Sequence, residues 1–347
     1  MREAQATLPA GAVVERAPAK VNLGLWVLGR RDDGYHLIDT VMARVEPVDE
    51  LAMWLEPGAP PGTVSLSVTG PEAGALAREG LALAETVDLR SGITGAGANL
   101  VLKAAAELAR LAPEPLPAVR IRLTKRIPVG GGLGGGSSDA AAALRGLNRL
   151  WGLGLTTTEL EGIGARIGAD VAFFVRGGVQ RATGIGERLA PISCRLVADC
   201  VVAVPDGGVV TAQAYRLWDE LSAEAAAAGD GSGRGAEGVV AAISRGDLED
   251  VRRQLHNDLA MAACLLSPST ERLLRLLEMA GGEGACVSGS GSAVFALVAP
   301  GAGKGLADDV RRRAAAEGWT VRVYVSRLPA EEDVLPWRVA GTVVEST

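Results

Sequence analysis

The 347-residue chain predicts an α+β fold in two domains. Three observations predict it. The length leaves room for two cores at roughly 150 residues per domain. Segments of alternating apolar and polar residues interleave with segments of helical period. A seam marked by Gly184-Ile-Gly-Glu187 and Pro191 divides the halves, giving units of 1–188 and 189–347.

The elements follow in order. Val21–Leu28 and Val64–Val68 alternate as half-buried strands do. Asn99 is placed to cap a helix over Leu100–Leu111. Ala118–Thr124 alternates again and leads through Lys125-Arg-Ile-Pro128 into a glycine-rich run. Helices are expected over Ser138–Trp151 and Thr157–Ile167, the second opened by the capping box Thr156-Thr-Thr-Glu159. Beyond the seam Cys200–Val204 reads as the first strand, followed by helix, helix, strand, helix and strand up to Ser326. Ala223–Gly238, rich in Ala, Gly and Ser, reads as a mobile insertion. Pro329–Thr347 reads as an appendage, and no internal repeat of fixed period is present.

Composition narrows the function. Net charge is −6, so no basic face dominates and nucleic acid is a poor partner. Met1–Arg16 lacks the pattern of a secretory signal. The longest uncharged stretch, Gly284–Gly303, is broken by Ser288-Gly-Ser-Gly-Ser292 and fits a turn and buried strand better than a spanning helix. A cytoplasmic location is expected, with Cys194, Cys200, Cys264 and Cys286 reduced. With only His36 and His256 present, a histidine-rich metal site is excluded, and no metal-binding residues are assigned.

Pro128-Val-Gly-Gly-Gly-Leu-Gly-Gly-Gly-Ser-Ser-Asp139 carries the strongest chemical signal. Glycine lets other groups approach the main chain closely, and the helix that follows offers free N–H groups to an anion. The run reads as a phosphate cradle. It lacks the Gly-Lys-Ser/Thr of a P-loop, and its match to a dinucleotide fingerprint is automatic in so many glycines. A flexible linker is the plain alternative, set against it by the clean helix start.

This run resembles the ATP-binding loop of the GHMP small-molecule kinases. Ala17-Pro-Ala-Lys-Val-Asn-Leu23 is similar to that family's N-terminal motif, and Val287-Ser-Gly-Ser-Gly-Ser-Ala-Val-Phe295 to its C-terminal glycine motif. Gly34-Tyr-His36 and Ile167-Gly-Ala-Asp-Val-Ala-Phe-Phe174 point to the branch whose acceptor is a cytidine diphosphate-linked methylerythritol, phosphorylated on its 2-hydroxyl toward isoprenoid precursors. The resemblance runs from about Arg16 to Leu328. It implies a ribosomal-protein-like α/β N-terminal domain and a ferredoxin-like α+β C-terminal domain, with the active site between them. It implies ATP and Mg2+ as cofactors, and a monomer or homodimer acting on a small molecule without membrane or nucleic acid.

The resemblance also assigns residues. Asn99, Leu100, Lys125, Pro128, Val129, Gly130, Gly131, Gly132, Leu133, Gly134, Gly135, Gly136, Ser137 and Ser138 would hold ATP. Asp139 fits a magnesium contact and a helix-dipole role equally well. Asp170 would be the catalytic base and Lys20 its partner at the acceptor hydroxyl; read alone, Lys20 is a surface lysine and Asp170 a helix C-terminal turn residue bonding its own backbone. Asn22, on the same strand face as Lys20, would contact substrate. Tyr35 and Tyr215 would sandwich the cytosine while His36 reads its edge, with Thr211 nearby. Asn257-Asp258 matches a short family motif of unassigned role. Rival readings are another GHMP kinase, for homoserine or mevalonate, a Rossmann oxidoreductase, and a nucleotide-binding module without catalysis.

Overall fold

The computed structural model describes residues 8–89, 99–112, 115–227, 235–329 and 337–339. The first half opens with two long antiparallel strands, β1 (Val13–Arg30) and β2 (His36–Leu55). β3 (Thr63–Thr69), α1 (Ala73–Arg78), β4 (Ala84–Asp88), α2 (Leu100–Ala109) and β5 (Val119–Thr124) follow. Then come α3 (Gly135–Leu150), α4 (Thr157–Ile167), α5 (Val171–Arg176), β6 (Val179–Gly184) and β7 (Arg188–Pro191). The second half comprises β8 (Ala198–Val204), α6 (Thr211–Ala227), α7 (Glu237–Arg245), α8 (Leu248–Gln254), β9 (His256–Asn257), α9 (Ala260–Leu266) and α10 (Pro268–Met279). It ends with β10 (Cys286–Val287), β11 (Val294–Val298), α11 (Gly303–Ala316), β12 (Arg322–Leu328) and β13 (Trp337–Val339).

A nine-stranded sheet runs β13-β1-β2-β5-β3-β4, with β6 and β7 on the free stretch of β2 and β9 parallel to β1. The second sheet runs β10-β11-β8-β12 and is antiparallel throughout. From the β12 edge its strands come fourth, first, third and second in the chain, the ferredoxin-like order. This is the two-domain α+β architecture expected.

Strand alternation sorts side chains into three cores. One face of the large sheet packs Leu51, Met53 and Ile121 against α2, α3 and α5, including Leu108, Leu144 and Phe173. Ala19, Val21 and Leu23 of β1 meet Cys200, Val202 and Val204 of β8 in a second core between the sheets. Val201 and Ala203 of β8 point the other way, toward Leu273 and Leu277 of α10 and Val310 of α11. Cys200–Val204 is unbroken in hydrophobicity because both its faces are buried.

Several sequence expectations change. β2, the partner of β1 along most of its length, carries no clear alternation because it is buried on both faces. Ala223–Gly238 is not one insertion: α6 continues to Ala227 and Glu237 starts α7, while 228–234 lie outside the described residues. The appendage contributes β13, antiparallel to β1 with Val13 opposite Val339. All four cysteines are free; burial pushes the Cys286 thiol up to about 12. Among the described residues no helix is long and apolar enough to cross a membrane.

Candidate active site

The glycine run folds as loop, then helix. Gly134 takes a left-handed φ of 70° and α3 begins at Gly135, three residues before the expected start. The main-chain N–H groups of Gly135, Gly136 and Ser137 therefore have no acceptor within the helix and form its positive end. Glycine is required by close approach. A Cβ on Gly132 would lie 2.4 Å from the carbonyl oxygen of Ser288, and one on Gly134 would lie 2.8 Å from the Phe174 ring. The loop is tied to its neighbours by backbone bonds: Lys20 N donates to Leu133 O at 3.0 Å, and Ala293 N to Gly131 O at 3.1 Å. Asn257, unassigned from sequence, donates through Nδ2 to the carbonyls of Val287 and Gly289, both at 2.8 Å. It ties the third glycine motif to β9, which lies parallel to β1 at Gly24 and Leu25.

A cavity of about 250 Å³ is lined by Leu81, Asn99, Leu100, Lys125, Asp139 and the loop from Pro128 to Gly136. These include most of the expected ATP-holding residues. Asn99 also caps α2, accepting from Val101 N at 3.0 Å. Ser137 faces a larger cavity instead, and Ser138 lines neither: its hydroxyl is buried and has no partner among the described residues.

Lys125 is not a free cation. Its ammonium is clasped between Asp49 and Asp139, all three nearly fully buried. Asp49 also accepts from Arg126 N and Ile127 N, at 2.5 and 2.8 Å, and so shapes the chain leading into the loop. Burial works against the charge on Lys125, but Asp139 and Asp49 outweigh it and raise its pKa. One ammonium cannot neutralise two buried carboxylates. Burial accordingly drives the Asp139 carboxyl well above its ordinary range, and one of its oxygens has no partner among the described residues. Asp139 is thus committed to Lys125. Among the described residues no group of three His, Cys, Asp or Glu side chains converges to cage a metal. A magnesium ion held mainly by nucleotide phosphates and water fits such a site; a metal resident in a protein cage does not.

The larger cavity, about 1000 Å³, is lined by Lys20, Asn22, Thr40, Gly132, Gly134, Asp170 and the expected base-binding residues. Gly132 and Gly134 line both cavities, so the loop is the wall where they meet. Lys20 is buried rather than on the solvent face. Its Nζ donates to Asn22 Oδ1 at 2.5 Å, Asn22 Nδ2 to Thr40 Oγ1 at 2.8 Å, and Thr40 Oγ1 to Gly24 O at 2.6 Å. The relay fixes the amide and aims the ammonium into the cavity. Burial lowers the Lys20 pKa, and the charge of Asp170 partly restores it. Asp170 acts through that field and not through a contact ion pair. It immediately precedes α5, at the N-terminal cap rather than a C-terminal turn, and its side chain makes no capping bond.

The other end of the cavity holds the aromatic residues. Tyr35 is exposed at the tip of the β1–β2 hairpin. Tyr215 lies flat on His36, with ring centroids 4.6 Å apart and planes 22° apart. One face of Tyr215 is thus covered by the imidazole. Burial and the charge of Asp170 push the Tyr215 phenol up to about 12, so it stays neutral. Thr211 Oγ1 and Ser290 Oγ are 2.9 Å apart, joining α6 to the third motif. Sequence reasoning missed Thr40, Asp49, and Trp218 and Asp219, which both contact the His36 ring, and left Asn257 without a role. The first four lie far along the chain from the residues they serve, with no local pattern to mark them; Asn257 sits in a short motif, but its partners Val287 and Gly289 are distant.

Comparison with known proteins bears on the family and the fold. Residues 99–178 match the GHMP kinases N terminal domain, and 239–318 match the GHMP kinases C terminal domain. The chain is 40% identical over 285 residues to the 4-diphosphocytidyl-2-C-methyl-D-erythritol kinase of Salinispora arenicola, covering 82% of each chain. It is 38% identical to that of Symbiobacterium thermophilum, over 88% of this chain and 98% of the relative. A crystal structure of 4-(cytidine 5'-diphospho)-2C-methyl-D-erythritol kinase superposes with a TM-score of 0.65 at 32% identity, covering 90% of this chain and 98% of the other. The homoserine kinase of Cytophaga hutchinsonii shares the fold, with a TM-score of 0.66 at 20% identity.

Proposed function

The chain belongs to the GHMP kinases, and from that premise we propose that it transfers the γ-phosphoryl group of ATP to the 2-hydroxyl of 4-diphosphocytidyl-2-C-methyl-D-erythritol. One observation carries the mechanism: Lys20, Asn22 and Asp170 face a cavity that shares Gly132 and Gly134 with the loop's own cavity. An acceptor hydroxyl in the first cavity meets a γ-phosphate in the second across that glycine wall.

Asp170 takes the proton of the attacking hydroxyl. The acceptor oxygen forms the new P–O bond as the bond from phosphorus to the β–γ bridging oxygen breaks, and ADP leaves. Lys20 places its charge beside the developing negative oxygens, and Asn22 orients the ammonium. The free N–H groups of Gly135, Gly136 and Ser137 cradle the phosphates, preorganised for charge that builds in the transition state. Magnesium, bound with ATP, would neutralise the phosphate oxygens; the Ser137 hydroxyl, at the edge of the acceptor cavity, would offer it a ligand. Residues 1–188 serve as the nucleotide-binding unit and 189–347 as the covering unit, with β9 and β13 returning to the first sheet.

The test is ADP release from purified protein with ATP and Mg2+ against a panel of acceptors. The cytidine diphosphate-linked methylerythritol should be preferred over homoserine, mevalonate and galactose. Preference for any of those three sinks the acceptor and leaves the kinase chemistry standing.

A further inference from the structure

Helix α6 grips the His36 imidazole with three side chains on one of its faces. Tyr215 stacks on it, Trp218 meets it edge-on at 5.9 Å and 87°, and Asp219 Oδ1 lies 2.7 Å from Nε2. The carboxylate is a contact that neither phosphoryl transfer nor base stacking requires. Its second oxygen is 3.3 Å from Arg30 Nη1, so Asp219 is held from two sides. A carboxylate offers only acceptors, so Nε2 must carry the hydrogen; in the neutral ring Nδ1 then keeps a lone pair. Among the described residues no protein group bonds Nδ1, while the side chain is only 10% exposed and lines the acceptor cavity.

We propose that Asp219 is a positioning residue: it fixes His36 as the Nε2–H tautomer, making Nδ1 an acceptor that selects a base bearing an exocyclic amine over one bearing a carbonyl. The inference rests on the cytidine-linked acceptor proposed above and supplies its discrimination, which stacking cannot, since every base has a π-face. The Nδ1 lone pair lies in the ring plane. The base it meets lies edge-on beside the imidazole, because His36 and Tyr215 are already in ring contact and leave no slot between them. The amine of cytosine donates to Nδ1; the oxygen at the same position of uracil would set two acceptors face to face. A polar group left unpaired in this way is a strong means of rejection.

Two measurements test this. The chain has only two histidines, so long-range proton–nitrogen NMR of the whole protein resolves them, with His256→Gln identifying the other signal. His36 should show a protonated Nε2 and a bare Nδ1; a hydrogen on Nδ1 overturns the proposal, and this needs no variant of Asp219. The second measurement compares kcat/KM for the cytidine acceptor and its uridine counterpart. Asp219→Ala should reduce the cytidine preference by about tenfold or more, whereas Asp219→Asn, which can still accept from Nε2, should keep it within about threefold. A purely structural role would lower both substrates alike, so an unchanged ratio in Asp219→Ala overturns the proposal. Wild-type protein that phosphorylates both equally also overturns it while the acceptor assignment stands. Phosphorylation of neither ends the acceptor assignment and the selectivity with it.

Discussion

Asp170→Asn removes a proton acceptor while keeping the side chain's size, and the phosphate cradle lies on other residues. Turnover should fall by about 10²–10⁴-fold with little change in ATP affinity. Lys20→Ala should behave alike, and the double variant should be far from additive, as groups acting as a unit are. Near-normal turnover in Asp170→Asn would return that residue to a structural role. Lys20 adds a pH signature. Burial lowers its pKa, so rising pH removes the ammonium's proton before the ordinary lysine range is reached. Turnover should decline on that alkaline limb, and a kcat profile flat through it would count against a charged Lys20 in the reaction. The same depression has the opposite sign for stability: the unfolded chain holds that proton more tightly, so the fold gains as pH rises through the lowered pKa. Lys20 and Asp170 were legible in the sequence because each sits inside a local motif. Asp49 and Asp219 were not, since they act on Lys125 and His36, 76 and 183 positions away.

The glycine loop and the clasp beneath it make separable predictions. A Cβ on Gly136 meets nothing closer than Leu100 Cδ1 at 3.7 Å, and valine is no worse in a helix than glycine. Gly136→Val should therefore leave the melting temperature nearly unchanged while raising KM for ATP roughly ten- to a hundredfold, by blocking close approach. Equal ATP affinity in that variant would remove the loop from phosphate binding. Gly132→Ala is the contrast: its Cβ would strike Ser288 O at a φ of 73°, costing about 1–3 kcal/mol of stability as overpacking does. Lys125→Met leaves Asp49 and Asp139 buried without a cation. Thermal or denaturant unfolding should show a loss of about 3–5 kcal/mol; a loss below 1 kcal/mol would mean the clasp is dispensable. At this scale the sequence carried the helices with explicit signals. Thr156 and Glu159 form their capping box and α4 spans Thr157–Ile167 as predicted. The start of α3 was misplaced because a left-handed glycine, not a serine hydroxyl, occupies its cap. Strands buried on both faces, such as β2, offer no alternation to detect.

In the whole molecule the two sheets share a core, with Val21 and Val41 of the large sheet packed among Val202 and Phe295 of the small one. The halves should therefore unfold in a single transition, with fluorescence and far-ultraviolet circular dichroism coinciding; two separated transitions would show independent domains. The turn residues at Gly184–Pro191, read from sequence as a seam, lie in the β6–β7 hairpin inside the large sheet, and the return of β9 and β13 to that sheet was not legible, because two- and three-residue strands leave no periodicity. Those returns bear on how the molecule is made. The strand carrying Lys20 and Asn22 leaves the ribosome before the two strands, β9 and β13, that return to it. Yet Val27 N finds its acceptor, Asp258 Oδ2, 231 residues later at 2.7 Å, and the Asn257 tie to Gly289 later still. A nascent chain stalled before residue 257 lacks β9 on the edge of β1, and lacks Ala293, whose N–H braces Gly131 of the loop. The cradle and the strand it faces are therefore completed together, only once that later segment has been made.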